Sequence, residues 1–484
     1  MGQLASPRPP VTLMTCQLIF FAIAASAWAH VGSPDVFYEG KAGPYTLFVT
    51  VRPPQVIPGV AEIEIRSSDS AVQQLRITPL PLTGEASKYP PTPDIAQPSK
   101  QDPQFFTGSL WLMISGSWQV RVQADGNKGQ GDLSVPVPAV AQSTTQMNTT
   151  LGIVLAVLGF ILAAGIVSIV GAAARESQLD PGVQPDDARR YRARRLMTIT
   201  AVLVVLILYG GNAWWKVEAS AYDRYIYKPL EMTPSLENGN RLVLKLRDPG
   251  WLRSRLLDDF IPDHNHLMHL FAVRLPDLDR IWHLHPDQRE TGIFTHSLPD
   301  MPAGRYQLFA DVIHTNGFPE TIAAQIDLPE VKGKPLEEDD SSGGGPNAGD
   351  IVKLADGYQV VFDRDSKGYA AKQPTAFRFR VLDPAGQPAQ DLELYMGMPG
   401  HAAFVRRDLK VFAHVHPSGS VPMAALGLTK EAQGNPHFGH LVASRIPPVV
   451  SFPYGLPQTG DYRVFVQVKR ADQVHTAAFD VRVP

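Results

Sequence analysis

The run LGIVLAVLGFILAAGIVSIVGAAA at residues 151–174 carries no charged residue. As a helix rising ~1.5 Å per residue it is long enough to cross the hydrocarbon core of a bilayer. A second run, LMTITAVLVVLILYGGNAWW at 196–215, is also uncharged and ends in Trp214 and Trp215, side chains that settle at a membrane–water interface. Residues 175–195 between them hold Arg175, Arg189, Arg190, Arg192, Arg194 and Arg195, whereas the flank before the first run, QSTTQMNTT, has no basic residue. Basic loops stay on the cytoplasmic side, so the pattern predicts a two-helix transmembrane hairpin with a cytoplasmic loop and both long flanks outside. A bacterial cytoplasmic membrane is the expected location. With no ionisable residue in the spans, the hairpin reads as an anchor, or as a contact surface for a membrane protein partner, and not as an ion path.

Upstream, QLIFFAIAASAWA at 17–29 has the length of a signal-peptide core, preceded by Arg8 and closed by the Ala27-x-Ala29 cleavage pattern. Residues 1–29 are therefore expected to be removed, leaving His30 as the first residue. Its amine and imidazole would together chelate Cu(II); equally, the peptidase simply cuts there. The single cysteine, Cys16, precedes the apolar core and is lost with it. Disulfides are then excluded, and soft metal ligands outside must be histidine or methionine.

The flanks read as strands. YTLFVTVRP, VAEIEIRS and SWQVRVQA are short, alternating or β-branched, and bounded by turn residues in a chain with 39 Gly and 43 Pro. The expected fold class is mainly β: three immunoglobulin-like β-sandwich domains at 30–140, 217–330 and 351–484, plus the hairpin. Residues 331–350, acidic and Gly/Ser-rich, read as a flexible linker that lets the last domain move. Each domain carries a late Gly-x-aromatic triplet, Gly116-Ser117-Trp118, Gly304-Arg305-Tyr306 and Gly460-Asp461-Tyr462, which resembles the tyrosine corner of immunoglobulin-like sandwiches. A net charge of −3 gives no electrostatic case for nucleic acid.

The last two domains repeat one another. HNHLMHLFAVRLPDLDRIWHLHP (264–286) aligns with MGMPGHAAFVRRDLKVFAHVHP (396–417), with a one-residue difference in the middle. His264 and His266 then match Met396 and Met398, His269 matches His401, and His283 and His285 match His414 and His416. Histidine and methionine share little as packing residues; they share a lone pair for copper. In an extended strand, positions i and i+2 project together about 7 Å apart, so each pair is expected to face one way and join a metal site. The alternative, without metal, is that H-x-H-P is a half-exposed polar strand edge and M-x-M-P is core or turn. His296, His314, His437, His440 and His475 do not match across the repeat and weigh less.

The start HVGSPDVFYEG and the closing GSWQVRVQADG…VPVP of the first domain resemble YtkA-like and CopC-like periplasmic copper-binding proteins. The resemblance implies small immunoglobulin-like sandwiches that handle copper, although residues 31–150 lack the second histidine of a CopC-type site. The M-x-M-x-x-H…H-x-H-P pattern of 396–417 looks like His/Met motifs of bacterial copper-binding modules. The expected function is copper buffering, trafficking or sensing at a membrane; the alternative is a metal-free adhesive or scaffolding protein. No enzyme is expected. There is no G-x-S-x-G, and in H-x-H-x-M-H at 264–269 Met268 stands where a metallo-β-lactamase-like motif needs Asp.

Overall fold

The structure, a computed structural model, describes residues 34–145, 147–252, 254–346, 349–432 and 446–484. The expected signal segment, His30, His437 and His440 lie outside these residues.

The protein is mainly β, with several antiparallel sheets and two long helices. Alternation builds the first unit. Leu47, Val49 and Val51, Ile63 and Ile65, Val120 and Val122, and Val135 and Val137 take every second position of their strands and fill one core. Eight strands from Val36–Ala42 to Gly129–Ala139 form a single sheet that folds over this core. In the second unit a four-stranded and a five-stranded sheet face each other across one core, which draws Leu242 and Leu244 from the smaller and Leu270 and Trp282 from the larger. The third unit repeats this plan.

The strand registers of the second and third units correspond. Strand Met268–Arg274 pairs with Arg280–Leu284 so that Leu270 faces Leu284 and Phe271 faces His283. Strand His401–Arg406 pairs with Phe412–Val415 so that Ala402 faces Val415 and Ala403 faces His414. The same positions are opposed in both copies. All three Gly-x-aromatic triplets close in one way. Tyr306 and Tyr462 donate their hydroxyls to the Pro302 and Gln458 carbonyls at 2.6 and 2.7 Å, and Trp118 donates its indole N–H to the Ile114 carbonyl at 2.9 Å. Gly116, Gly304 and Gly460 have φ of 142°, 158° and 130°, a region open essentially to glycine alone.

Helix α1 (Thr149–Glu176) and helix α2 (Asp187–Ala221) are long and apolar enough to cross a membrane. Asn148 caps α1, its side chain accepting from the Thr150 and Leu151 amides. The basic loop is shorter than expected. Asp186 caps α2, and Arg189 to Arg195, good helix formers, already lie in its first turns. At the other end of the hairpin the chain is pinned where it leaves and re-enters the β region: the Tyr227 amide donates to the Ala141 carbonyl at 2.8 Å.

The expected flexible linker is a correction. Ser341–Gly344 is a strand paired with Arg280–Leu284. Ser341 is buried, and its hydroxyl accepts from Gln467 at 2.6 Å. The glycines serve close approach here, since a Cβ on Gly343 would stand 2.6 Å from Cβ of Thr476. Nor does the third unit stand apart. Phe271, Ile281 and Phe309 pack with Val405, Phe412 and Phe465 in a core between the repeats. Phe37 of the first unit enters the core of the third, whose Val421 and Leu426 enter the core of the first.

Candidate metal centre

The core between the repeats brings the two histidine sets together. The turn Asp263–His266 and its counterpart Tyr395–Met398 are two-residue hairpins closed by reciprocal backbone hydrogen bonds of 2.8–3.0 Å. Both central residues have positive φ in each: His264 49° and Asn265 71°, Met396 49° and Gly397 75°. This corrects the expectation of extended i, i+2 pairs. A tight turn sends its side chains apart, so His264 reaches the other repeat while His266 stays with its own. Left-handed backbone at a histidine and a methionine is uncommon, and both lie at the centre.

In the second unit His269 sits on strand Met268–Arg274, His283 near the end of its neighbour, and His285 just past it. The His269 Nε2–H donates to the Asp263 carbonyl at 3.0 Å. A carbonyl only accepts and a neutral imidazole has one proton, so Nδ1 is a bare lone pair. His283 turns Nδ1 to the Gln467 Oε1 at 3.1 Å and the Tyr395 hydroxyl at 3.2 Å. Both partners are committed as acceptors, because Gln467 Nε2 donates to Ser341 and the Tyr395 hydroxyl donates to the Asp339 carbonyl at 2.7 Å. His283 Nε2 is then the bare atom. Asp340 accepts from the backbone amide and Nδ1 of His285, both at 3.0 Å, and the buried Nε2 has no hydrogen-bond partner.

The third unit matches it. The His401 Nε2–H donates to the Tyr395 carbonyl at 3.2 Å, His416 Nδ1–H to the Val421 carbonyl at 3.2 Å, and His414 turns Nδ1 toward Asp311 at 3.6 Å. The His416 Nε2 is buried without a partner, as is the Nε2 of His264, whose ring is hydrogen-bonded to the Met396 backbone. The anchors are exchanged between repeats. Asp311 and Gln467 are equivalent, facing His269 and His401 across their sheets, and each holds the other repeat's histidine.

Bare nitrogens thus face inward. The donor atoms of His269, His283 and His285 lie within 4.8 Å of one another, and so do those of His264, His401 and His416. His269 Nδ1 is 3.1 Å from His283 Nε2, and His401 Nδ1 is 2.9 Å from His414 Nε2. Two lone pairs at that range repel unless a cation faces both, and the spacing suits an edge of a coordination shell with metal–nitrogen bonds of about 2.0 Å. Burial, with the neighbouring imidazoles, pushes His269, His283, His401 and His416 well below the ordinary histidine range. They are neutral near pH 7, as metal ligands must be. Outer N–H groups held by carbonyls and carboxylates are the usual surroundings of metal-bound histidine.

His266 stacks on His285, with ring centroids 3.9 Å apart. Met396 and Met398 are buried in the Tyr395–Met398 turn beside the second set. Sequence reasoning missed the anchors Asp263, Asp311, Asp340, Tyr395 and Gln467: the side chains of the last four act on histidines distant in the chain, and Asp263 acts on nearby His269 through its backbone carbonyl, which its residue type does not reveal. His314 lies elsewhere, between Asp259 at 2.7 Å and Glu320 at 2.9 Å, and His475 faces Asp356.

The family described as Domain of unknown function (DUF8832) matches residues 353–484, the third unit. No curated protein matches the chain. Among solved structures, the tetra-tandem repeat in the extending region of a large adhesion protein is 10% identical, with a TM-score of 0.16 over 88% of this chain and 71% of that one. Salmonella alpha-2-macroglobulin reacted with methylamine is 10% identical, with a TM-score of 0.19 over 94% of this chain and 24% of that one.

Proposed function

We propose that this chain is a membrane-anchored copper-binding protein that buffers, passes on or senses copper outside the cytoplasm of a bacterial cell. The observation that carries the reading is the set of inward-facing, partnerless imidazole nitrogens in two repeat-related clusters. His269, His283 and His285 would hold one ion; His401, His414 and His416, with His264 from the other repeat, would hold a second. Imidazoles with nearby thioethers and no thiolate favour copper over harder cations, and copper(II) leads the affinity order of divalent metals. In this reading the three β units are immunoglobulin-like sandwiches and the Arg-rich loop lies in the cytoplasm.

The test is metal analysis of the full-length chain purified in detergent and loaded with Cu(I), Cu(II) or Zn(II). Two copper ions per chain are expected. His283→Ala/His285→Ala and His414→Ala/His416→Ala should each lose one. Zinc retained in preference to copper would replace the metal, and no stoichiometric ion at all would leave a scaffolding role.

A further inference from the structure

On one side the histidine cluster opens into a polar cleft of about 590 Å³, with His266, His285, His296, Asp287, Glu338 and Asp340 in its wall. On another side it meets a smaller cavity of about 150 Å³ between the three units, where apolar residues such as Trp118, Ile313, Phe318 and Ala425 surround His269, His414 and His416. His285 joins the cleft to the centre: Asp340 holds its Nδ1, and its buried Nε2 is free to bind. The second oxygen of Asp340 is 3.0 Å from Nε2 of His296, on the cleft side. His266 covers His285, its own Nε2 being 3.4 Å from Asp339. Imidazole and carboxylate donors therefore run unbroken from the cleft to the buried trio. Of the cleft's basic residues Arg241, Arg289 and Lys334, Arg289 is paired to Asp287 at 2.9 Å.

We propose that this cleft is the port through which the ion reaches the buried centre, with His266, His296, Asp339 and Asp340 as its transient ligands. An ion cannot shed its water in one step without a large desolvation cost. It exchanges one ligand at a time, and the wide cleft lines up His296, Asp340 and His285 in sequence, whereas the histidines of the smaller cavity are set among apolar residues. This inference rests on the metal-centre reading above.

The test is stopped-flow loading of the full-length chain in detergent from a weak Cu(I) chelate, together with the final copper content. His296→Ala should load about tenfold more slowly, the low end of what a guiding cleft adds to an association rate, and reach the wild-type content. Ala425→Leu, which narrows the apolar cavity, should load at the wild-type rate. Wild-type loading by His296→Ala, or slow loading by Ala425→Leu alone, would overturn the port while leaving the centre standing. A wild-type chain that takes up no stoichiometric copper would overturn the centre and the port with it.

Discussion

Gln467 shows how a single side chain acts outside its own repeat. Its Nε2 is held by Ser341, so its Oε1 must face His283 and fix the proton on Nδ1. Leucine there removes the acceptor at little change in volume. The expected result of Gln467→Leu is a loss of about 10–100-fold in affinity for one of the two ions, the usual effect of removing such an anchor. The affected ion is the one bound by the second unit, although the mutation is in the third. A competitive Cu(I) titration showing both sites weakened equally, or neither, would contradict the exchanged anchors. His264 supplies the opposite case. Its left-handed backbone costs about 1 kcal/mol, which glycine would not pay, while its Nε2 faces the His401–His416 pair. His264→Gly should therefore melt no lower than wild type without metal, yet bind the second ion more weakly. Calorimetry of the apo and loaded forms separates the two effects.

At the scale of elements, part of the centre was legible in the sequence and part was not. The repeat alignment placed His269 over His401 and His283 over His414, and in each unit the later histidine is opposed to the residue two positions after the earlier one. The turn at 263–266 was not legible as a turn. Its Asn265 is a turn former, but His-Asn-His reads equally well as an alternating strand, and only the reciprocal bonds of Asp263 and His266 decide it. The stretch at 341–344 misled for a different reason. Ser and Gly mark both flexible chain and backbone that packs closely, and the difference lies in Thr476, more than 130 residues away. His314 did not match across the repeat and weighed less as a ligand; it is an ionic staple. Burial alone would push its pKa down, but Glu320 and Asp259 outweigh burial and hold it above the ordinary value. Glu320 also takes hydrogen bonds from Tyr227 and Arg255, so the network ties the chain leaving α2 to the second unit. Such a group binds its proton more tightly when folded. Its stabilisation is complete below the unfolded pKa of about 6.5 and fades as pH rises through the higher folded value. His314→Gln should flatten that part of the melting temperature's fall between neutral and alkaline pH. An unchanged pH profile in the variant would show that the imidazole is not charged.

For the whole molecule, the question is how three β units outside one helical hairpin act as a single body. The seam between the first and third units runs beside the histidine clusters. The Glu39 amide donates to the Ser418 carbonyl at 2.7 Å and the Ser420 amide to the Phe37 carbonyl at 2.9 Å, which locks strand Val36–Ala42 onto the His416–Gly419 turn. Gly419 makes this contact possible. It has φ of 123°, and a Cβ there would lie 2.0 Å from the Phe37 carbonyl oxygen, a backbone atom that cannot swing aside. The turn also carries His416, whose Nδ1 is held by Val421 two residues beyond Gly419. Gly419→Ala must therefore open the seam or distort the turn, at a cost of about 1–3 kcal/mol for the strained backbone alone. If the units dock as one body, amide exchange in the variant should quicken at residues 36–42, in the first unit, and copper affinity should fall at the His401–His416 site while the site in the second unit is spared. Faster exchange confined to 416–419, with both affinities intact, would mean that the first unit rests on the histidine-bearing repeats without bracing them.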